Sequence, residues 1–253
     1  MMTLHNHNRA LAAALRRRAR VSDSSFDSIY PELIQRASGR YWTPVDVALT
    51  AARWLTDMHC RNVFDVGAGP GKFCIVAKLA AALSVHGIEQ RAHLVEAARS
   101  AAASYEAEVA FEHGTIETVD PGRFEAFYLY NPFGENYYTG DDRFDEHVEL
   151  SATRCVRDLT SVEAWLGSAA LGTCVLTFHG FGGRIPDTYR LVRSLDSDAG
   201  VLRLWVKRRA GHARGFWLEL GELVMSSAQL EKLSIRLGPN SCRDLQELLE
   251  RPF

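Results

Sequence analysis

The chain has 253 residues, and its 29 Lys and Arg nearly balance 31 Asp and Glu, for a formal charge of −2. Hydrophobic residues make up 47% and charged residues 24%, a balance that excludes disordered, collagen-like and coiled-coil chains and leaves one or two domains with a full core. No apolar run approaches the roughly 18 residues of a membrane span, and the near-neutral charge gives nucleic acid no general electrostatic handle.

From the N-terminus, residues 9–20 are rich in Ala, Leu and Arg and read as helix. The apolar stretch Ala10 to Leu15 is too short for a secretion signal, and its arginines follow it instead of preceding it. Val21 to Tyr30 is polar and reads as a loop. Thr43 is placed to cap a helix that begins at Pro44. That helix runs to Met58, with Val45, Val47, Ala48, Ala51, Ala52 and Leu55 at helical spacing. Val63, Phe64 and Val66 then form a short buried strand that runs into glycines. Phe73 to Leu83 is helical, Val85 to Glu89 a second strand, Ala92 to Ala103 a second helix of this series, and Val109 to Phe111 a third strand. Ala126 to Tyr130 is a fourth strand, Glu149 to Ala170 carries helical pattern, and Cys174 to Phe178 is a fifth strand. A helix near Thr188 to Leu195 follows. Val201 to Lys207 and Phe216 to Val224 read as two antiparallel strands joined by a basic loop, with two short helices after them.

Strands alternating with helices imply a doubly wound α/β fold, mostly parallel, with helices on both faces. The closing hairpin makes the sheet mixed. In such folds the ligand lies over the carboxyl ends of the strands, where strand order reverses. The five cysteines (Cys60, Cys74, Cys155, Cys174 and Cys242) form no CxxC pair. They read as reduced, mostly buried thiols of a cytoplasmic protein, with no disulfide framework and no metal site. Two charge runs stand out. Arg203, Lys207, Arg208, Arg209 and Arg214 form a basic stretch without an acid, and Glu135 to Glu149 is an acidic one broken only by Arg143. Both read as solvated loop surface.

The loop after the first strand reads Asp65-Val66-Gly67-Ala68-Gly69-Pro70-Gly71-Lys72. A P-loop ending at Gly71-Lys72 needs glycine at 66 and a hydroxyl at 73, where Val66 and Phe73 stand. A dinucleotide fingerprint from Gly67 and Gly69 needs glycine at 72, where Lys72 stands. What remains is Asp-x-Gly-x-Gly-x-Gly. Its glycines let backbone pass close to a bulky ligand. An acid just before the turn suits a ligand carrying a cation, such as an amino-acid ammonium, and repels phosphate.

With Glu89 closing the second strand, His113-Gly114-Thr115 after the third and Asn131-Pro132-Phe133 after the fourth, this pattern resembles the class I S-adenosylmethionine-dependent methyltransferases over residues 41–224. The resemblance implies a Rossmann-like, seven-stranded sheet with a C-terminal antiparallel hairpin. It also implies an N-terminal helical extension (1–40) before a cofactor-binding domain (41–253). The implied cofactor is S-adenosylmethionine, held by Asp65, Gly67, Gly69 and Gly71. Glu89, with Gln90 beside it, binds the ribose hydroxyls, since a carboxylate can accept two hydrogen bonds from a vicinal diol. Gly114, Thr115 and Ile116 flank the adenine, although a frequent family pattern has Asp where Thr115 stands. Tyr41, Trp42, Thr43 and Pro44 resemble a Thr-Pro step that closes over the cofactor in several amino-group methyltransferases.

Asn131, Pro132 and Phe133 resemble the Asn-Pro-Pro-aromatic step of enzymes that methylate amines, without the second proline. There the Asn side chain and a proline carbonyl accept from the amine and the aromatic packs on the acceptor, so these three residues are the catalytic candidates and N-methylation is favoured. The acceptor is otherwise open, and O-methylation or a silent cofactor-binding scaffold are the alternatives. A hydroxyl acceptor calls for a base, for which His147 and His179 are placed after the fourth and fifth strands. The acidic run over the site mouth favours a cationic acceptor, while the basic stretch mildly favours nucleic acid elsewhere.

Overall fold

A computed structural model describes residues 2–137 and 143–210. Four helices come first: α1 (Met2–Arg16), α2 (Asp23–Asp27), α3 (Glu32–Tyr41) and α4 (Val45–Asp57). The alternating part follows as β1 (Asn62–Val66), α5 (Lys72–Ala81), β2 (Ser84–Glu89), α6 (Ala92–Ser104), β3 (Ala110–His113), β4 (Ala126–Leu129), α7 (Ala152–Ser168) and β5 (Cys174–Phe178). A hairpin of β6 (Tyr189–Ser197) and β7 (Gly200–Lys207) completes it. Among the described residues, no helix is long and apolar enough to cross a membrane.

The seven strands form one sheet in the order β3-β2-β1-β4-β5-β7-β6. β1, β2, β3, β4 and β5 pair in parallel, and β7 runs antiparallel to both β5 and β6. The central strands alternate strictly between faces, as their period of two requires. Val63, Ala126, Tyr128, Cys174 and Leu176 pack into one apolar cluster with α1, α4, α5 and α6. Phe64, Val66, Phe127, Leu129 and Val175 pack into another with Cys155, Val162 and Leu166 of α7. Ala12, Leu15, Phe26, Tyr30 and Ile34 from the first forty residues belong to the same cluster as the first face of the sheet.

Several local expectations change. Val21 to Tyr30 is not all loop: Ser22 accepts from the Ser25 amide and caps the short α2. Thr43 does not cap α4. Its hydroxyl lies 2.9 Å from that of Tyr128, and the Val45 amide is held instead by Asp23 Oδ1 at 2.9 Å, a partner brought from α2. From Tyr189 on, the segment Thr188 to Leu195 is strand, not helix. It belongs to β6, which is the edge strand among the described residues and whose Leu191 and Leu195 are 42% and 40% exposed. The hairpin is therefore formed by β6 with Val201 to Lys207, and the expected strand Phe216 to Val224 lies outside the described residues. Lys207, counted above with the basic surface, is buried with its ammonium on the carbonyls of Leu166 and Gly167. The described cysteines Cys60, Cys74, Cys155 and Cys174 are buried free thiols, and Cys242 lies outside the described residues.

Candidate functional site

The strand order reverses between β1 and β4, and a cleft opens over the carboxyl ends of β1 to β4. Val66 and Gly67 line it from β1, Ile88, Glu89, Gln90 and Arg91 from β2, and Gly114, Thr115 and Ile116 from β3. Tyr130, Asn131, Pro132 and Phe133 line it from β4, and Tyr41 and Trp42 close it from the end of α3. The sheet topology thus gathers the pieces that sequence reading could only list separately.

The glycine loop is a set of left-handed residues, with φ of 73° at Gly67, 54° at Gly69 and 81° at Gly71. At Gly69 a Cβ would stand 2.7 Å from the Trp42 ring, so this glycine serves close packing as well as conformation. Gly67 faces the cleft, with Pro132 across from it. Gly69 and Gly71 turn instead against protein, the one toward Trp42 and the other toward Phe111 and Ala98.

Glu89 ends β2 and is buried. Its Oε2 accepts from the Gly69 amide at 3.0 Å and its Oε1 from the Arg91 amide at 2.9 Å, which ties the glycine loop to the next strand end. Burial raises its pKa against the opposing pull of these amides and of the Arg91 charge. The Gln90 amide also bonds the carboxylate, whose two oxygens together still have capacity for a ligand donor. Beside it, Gln90 Oε1 is buried without a hydrogen-bond donor, as is Asp158 Oδ1 on the far wall. Buried orphan acceptors in a cleft mark where a ligand donor completes the network.

Asp65 is placed differently from expectation. It lies beneath the loop, 3% exposed and outside the cleft lining, where it accepts from the Cys74 thiol at 3.0 Å. Burial pushes its pKa up to about 7, with Glu89 adding to the rise and Cys74 opposing it. It therefore packs beneath the turn and does not line the cleft in which the sequence reading expected it to meet a ligand ammonium. Thr43 also stays out of the lining, turned toward Tyr128. Lys72 points away from the cleft, 1% exposed, with its ammonium on Asp27, Asp23 and Ser38.

After β4, Asn131 adopts a left-handed φ of 38°. Its amide donates to Gly180 and its carbonyl accepts from Gly134, so the turn is fixed at both ends. The side chain packs directly over Gly134, so a side chain there would have to displace the Asn131 carboxamide. Phe133 is 7% exposed and spends most of its surface in the second core cluster while still touching the cleft.

Sequence reading missed two walls of this cleft. The guanidinium of Arg91, itself buried, donates to Asp145 Oδ1 at 2.8 Å and to Glu135 Oε1 at 2.9 Å. Part of the acidic run is therefore neutralised by Arg91. Phe144 sits under that guanidinium and edge-on to both Tyr41 and Trp42. The only signal for these partners was the acidic run itself, whose counter-charge lay more than forty residues upstream. Neither His147 nor His179 lines the cleft. His147 is on the exposed side of Asp145, and His179 meets the Ala199 carbonyl in the turn between β6 and β7.

No protein-family model matches this chain, and no curated protein does. Solved structures do. A provisionally assigned O-methyltransferase from Klebsiella pneumoniae, 13% identical, superposes over 79% of this chain and 97% of its own with a TM-score of 0.50. The fold is that of the class I methyltransferases. An RNA methyltransferase from Salinibacter ruber in complex with S-adenosyl-L-homocysteine matches at 21% identity over 64% of this chain and 89% of its own, with a TM-score of 0.44. An O-methyltransferase from Bacillus cereus in complex with the same compound matches at 13% identity over 72% and 91%, with a TM-score of 0.48. For this class I methyltransferase fold, the cleft at the reversal of strand order is the general position for a ligand.

Proposed function

We propose that this chain binds S-adenosylmethionine in the cleft over β1 to β4 and transfers a methyl group to an amine-bearing acceptor. The observation that carries this reading is the meeting, in one cleft, of the glycine turn at Gly67, the buried carboxylate of Glu89 and the Asn131-Pro132 step. The residues fit the cofactor chemically. Glu89 would accept from the ribose hydroxyls, and Gln90 Oε1, now without a donor, has capacity for another hydroxyl or amine. Ile116 gives the purine an apolar wall beside Thr115.

When bound, the cofactor supplies an electrophilic methyl group on a positively charged sulfur, so the protein's task is mainly to hold the acceptor in line. The carboxamide oxygen of Asn131 and the carbonyl of Pro132 are acceptors for the N–H groups of an amine, which orients its lone pair. Tyr41, Trp42, Tyr130 and Phe144 give the cleft aromatic walls suited to a planar or cationic group. An amine acceptor is favoured over a hydroxyl because the two histidines considered as a base lie outside the cleft lining. The test is a radiolabelled methyl-transfer assay with lysate separated into protein, RNA and small-molecule fractions. Label entering one fraction, and lost with Asn131→Ala, supports the proposal. Cofactor binding without transfer to any fraction would leave a scaffold and overturn it.

A further inference from the structure

Outside the cleft, three side chains from two distant parts of the chain converge. His93 stands in the first turn of α6, and Asp145 and His147 lie in the segment that follows β4. One ligand atom from each falls within 4.8 Å of the others. His93 Nε2 is 3.3 Å from Asp145 Oδ2, and His147 Nδ1 is 3.4 Å from the same oxygen. Yet that oxygen is buried and has no aligned hydrogen bond. Ring nitrogens meet it at distance without satisfying it.

The other carboxylate oxygen is fully engaged. Asp145 Oδ1 takes the Arg91 Nε–H at 2.8 Å and the His147 amide at 3.0 Å, which fixes the plane of the carboxylate and leaves Oδ2 facing both rings. The His93 ring is held by stacking on Phe144, with centroids 6.0 Å apart and planes 10° from parallel. His147 meets it edge-on at 5.3 Å. The ligand atoms are thus oriented by neighbours, the arrangement that supports metal-binding carboxylates and imidazoles.

We propose that His93, Asp145 and His147 form a binding site for a first-row transition-metal dication of the zinc class. Two imidazoles and one carboxylate suit zinc, iron or nickel better than calcium or magnesium. Ligands about 2.0–2.1 Å from a tetrahedral zinc ion lie about 3.3 Å from one another, which matches the two separations to Asp145 Oδ2. Three protein ligands leave a fourth position open, and His147, 74% exposed, gives the site access to solvent. A dication here fastens residues 144–147 to the start of α6, and so fixes Phe144 and Arg91, two walls of the neighbouring cleft. The inference does not depend on methyl transfer.

The test uses the full chain stripped with EDTA and titrated with Zn²⁺ by calorimetry. The sequence holds nine histidines, so the readout is the difference between variants. One site is expected whose affinity falls at least about tenfold in His93→Ala, in His147→Ala and in Asp145→Asn. Co²⁺ in place of Zn²⁺ should give visible bands in the native chain that the double variant His93→Ala/His147→Ala lacks. The histidine rings are 38% and 74% exposed, so metal-free thermal melts of their variants should match the native chain. Zn²⁺ should raise the Tm of the native chain alone. Equal Zn²⁺ affinity and equal Tm response in the native chain and the double variant would overturn the proposal, as would no Zn²⁺ binding at all.

Discussion

Lys72 Nζ donates to Asp27 Oδ2 at 2.9 Å, and both side chains are buried. The residue that stands where the dinucleotide fingerprint needs its third glycine is therefore a bolt between the glycine turn and the N-terminal helices. Burial raises the pKa of Asp27, and the charge of Lys72 with the Ser38 hydroxyl opposes the rise. Lys72→Met strands a buried carboxylate and should cost about 3–5 kcal/mol in urea denaturation, whereas Lys72→Met with Asp27→Leu should recover most of the loss. A single variant as stable as the native chain would show that the pair carries no such tie.

Asp65 should make stability depend on pH. Its pKa rises from an ordinary 3.8 to about 7 in the folded chain. Between those values the folded state holds a proton that the unfolded chain releases, so rising pH removes about 1.4 kcal/mol of stability per pH unit. The loss ends above pH 7 and totals about 4 kcal/mol. Asp65→Asn should abolish this slope, so its advantage over the native chain grows from pH 4 to pH 7 and then levels. Denaturation midpoints of the two chains across that range check it; parallel curves would refute the assignment.

Gly69→Ala tests the turn. The added Cβ meets the Trp42 ring at 2.7 Å, on a residue with φ of 54°. Displacing Trp42 should lower stability by about 1–3 kcal/mol and weaken cofactor binding at once, because Trp42 walls the cleft. Calorimetry and thermal melts on one preparation read both. A change in stability with unaltered affinity would remove Trp42 from the binding wall.

Glu89→Gln keeps the size of the side chain but loses an acceptor. One of the two amides now held, Gly69 or Arg91, faces an NH₂ group, and the ribose loses a charged acceptor. Affinity for S-adenosylmethionine should fall about 10–100-fold, from hydrogen bonds to a charged group worth about 1.5–3 kcal/mol each. Binding as tight as native would place the ribose elsewhere.

What the sequence revealed followed from local rules. β5 was legible to the residue because Cys174 to Phe178 is buried on both faces, so Cys174, Val175, Leu176 and Phe178 make a nearly continuous apolar run broken only by Thr177. The glycine turn and Glu89 were legible because each sits where a buried strand stops. β6 was misread because only Tyr189 of it is buried, so no period-of-two pattern marks it, and Tyr189, Val192 and Leu195 happen to fall three apart. Thr43 looked like a cap because capping is usually local, whereas α4 takes its cap from Asp23. Arg91, Phe144 and the His93–Asp145–His147 set were invisible because each depends on contacts made across about fifty residues of chain.

The central claim is that the cleft at the ends of β1, β2 and β4 holds a sulfonium nucleoside. A crystal structure of the chain with S-adenosylhomocysteine tests it directly. The account predicts the ribose hydroxyls on Glu89 and the purine against Ile116, with the sulfur directed toward Asn131. Well-ordered compound bound away from these residues, or a cleft left empty at saturating concentration, would contradict it.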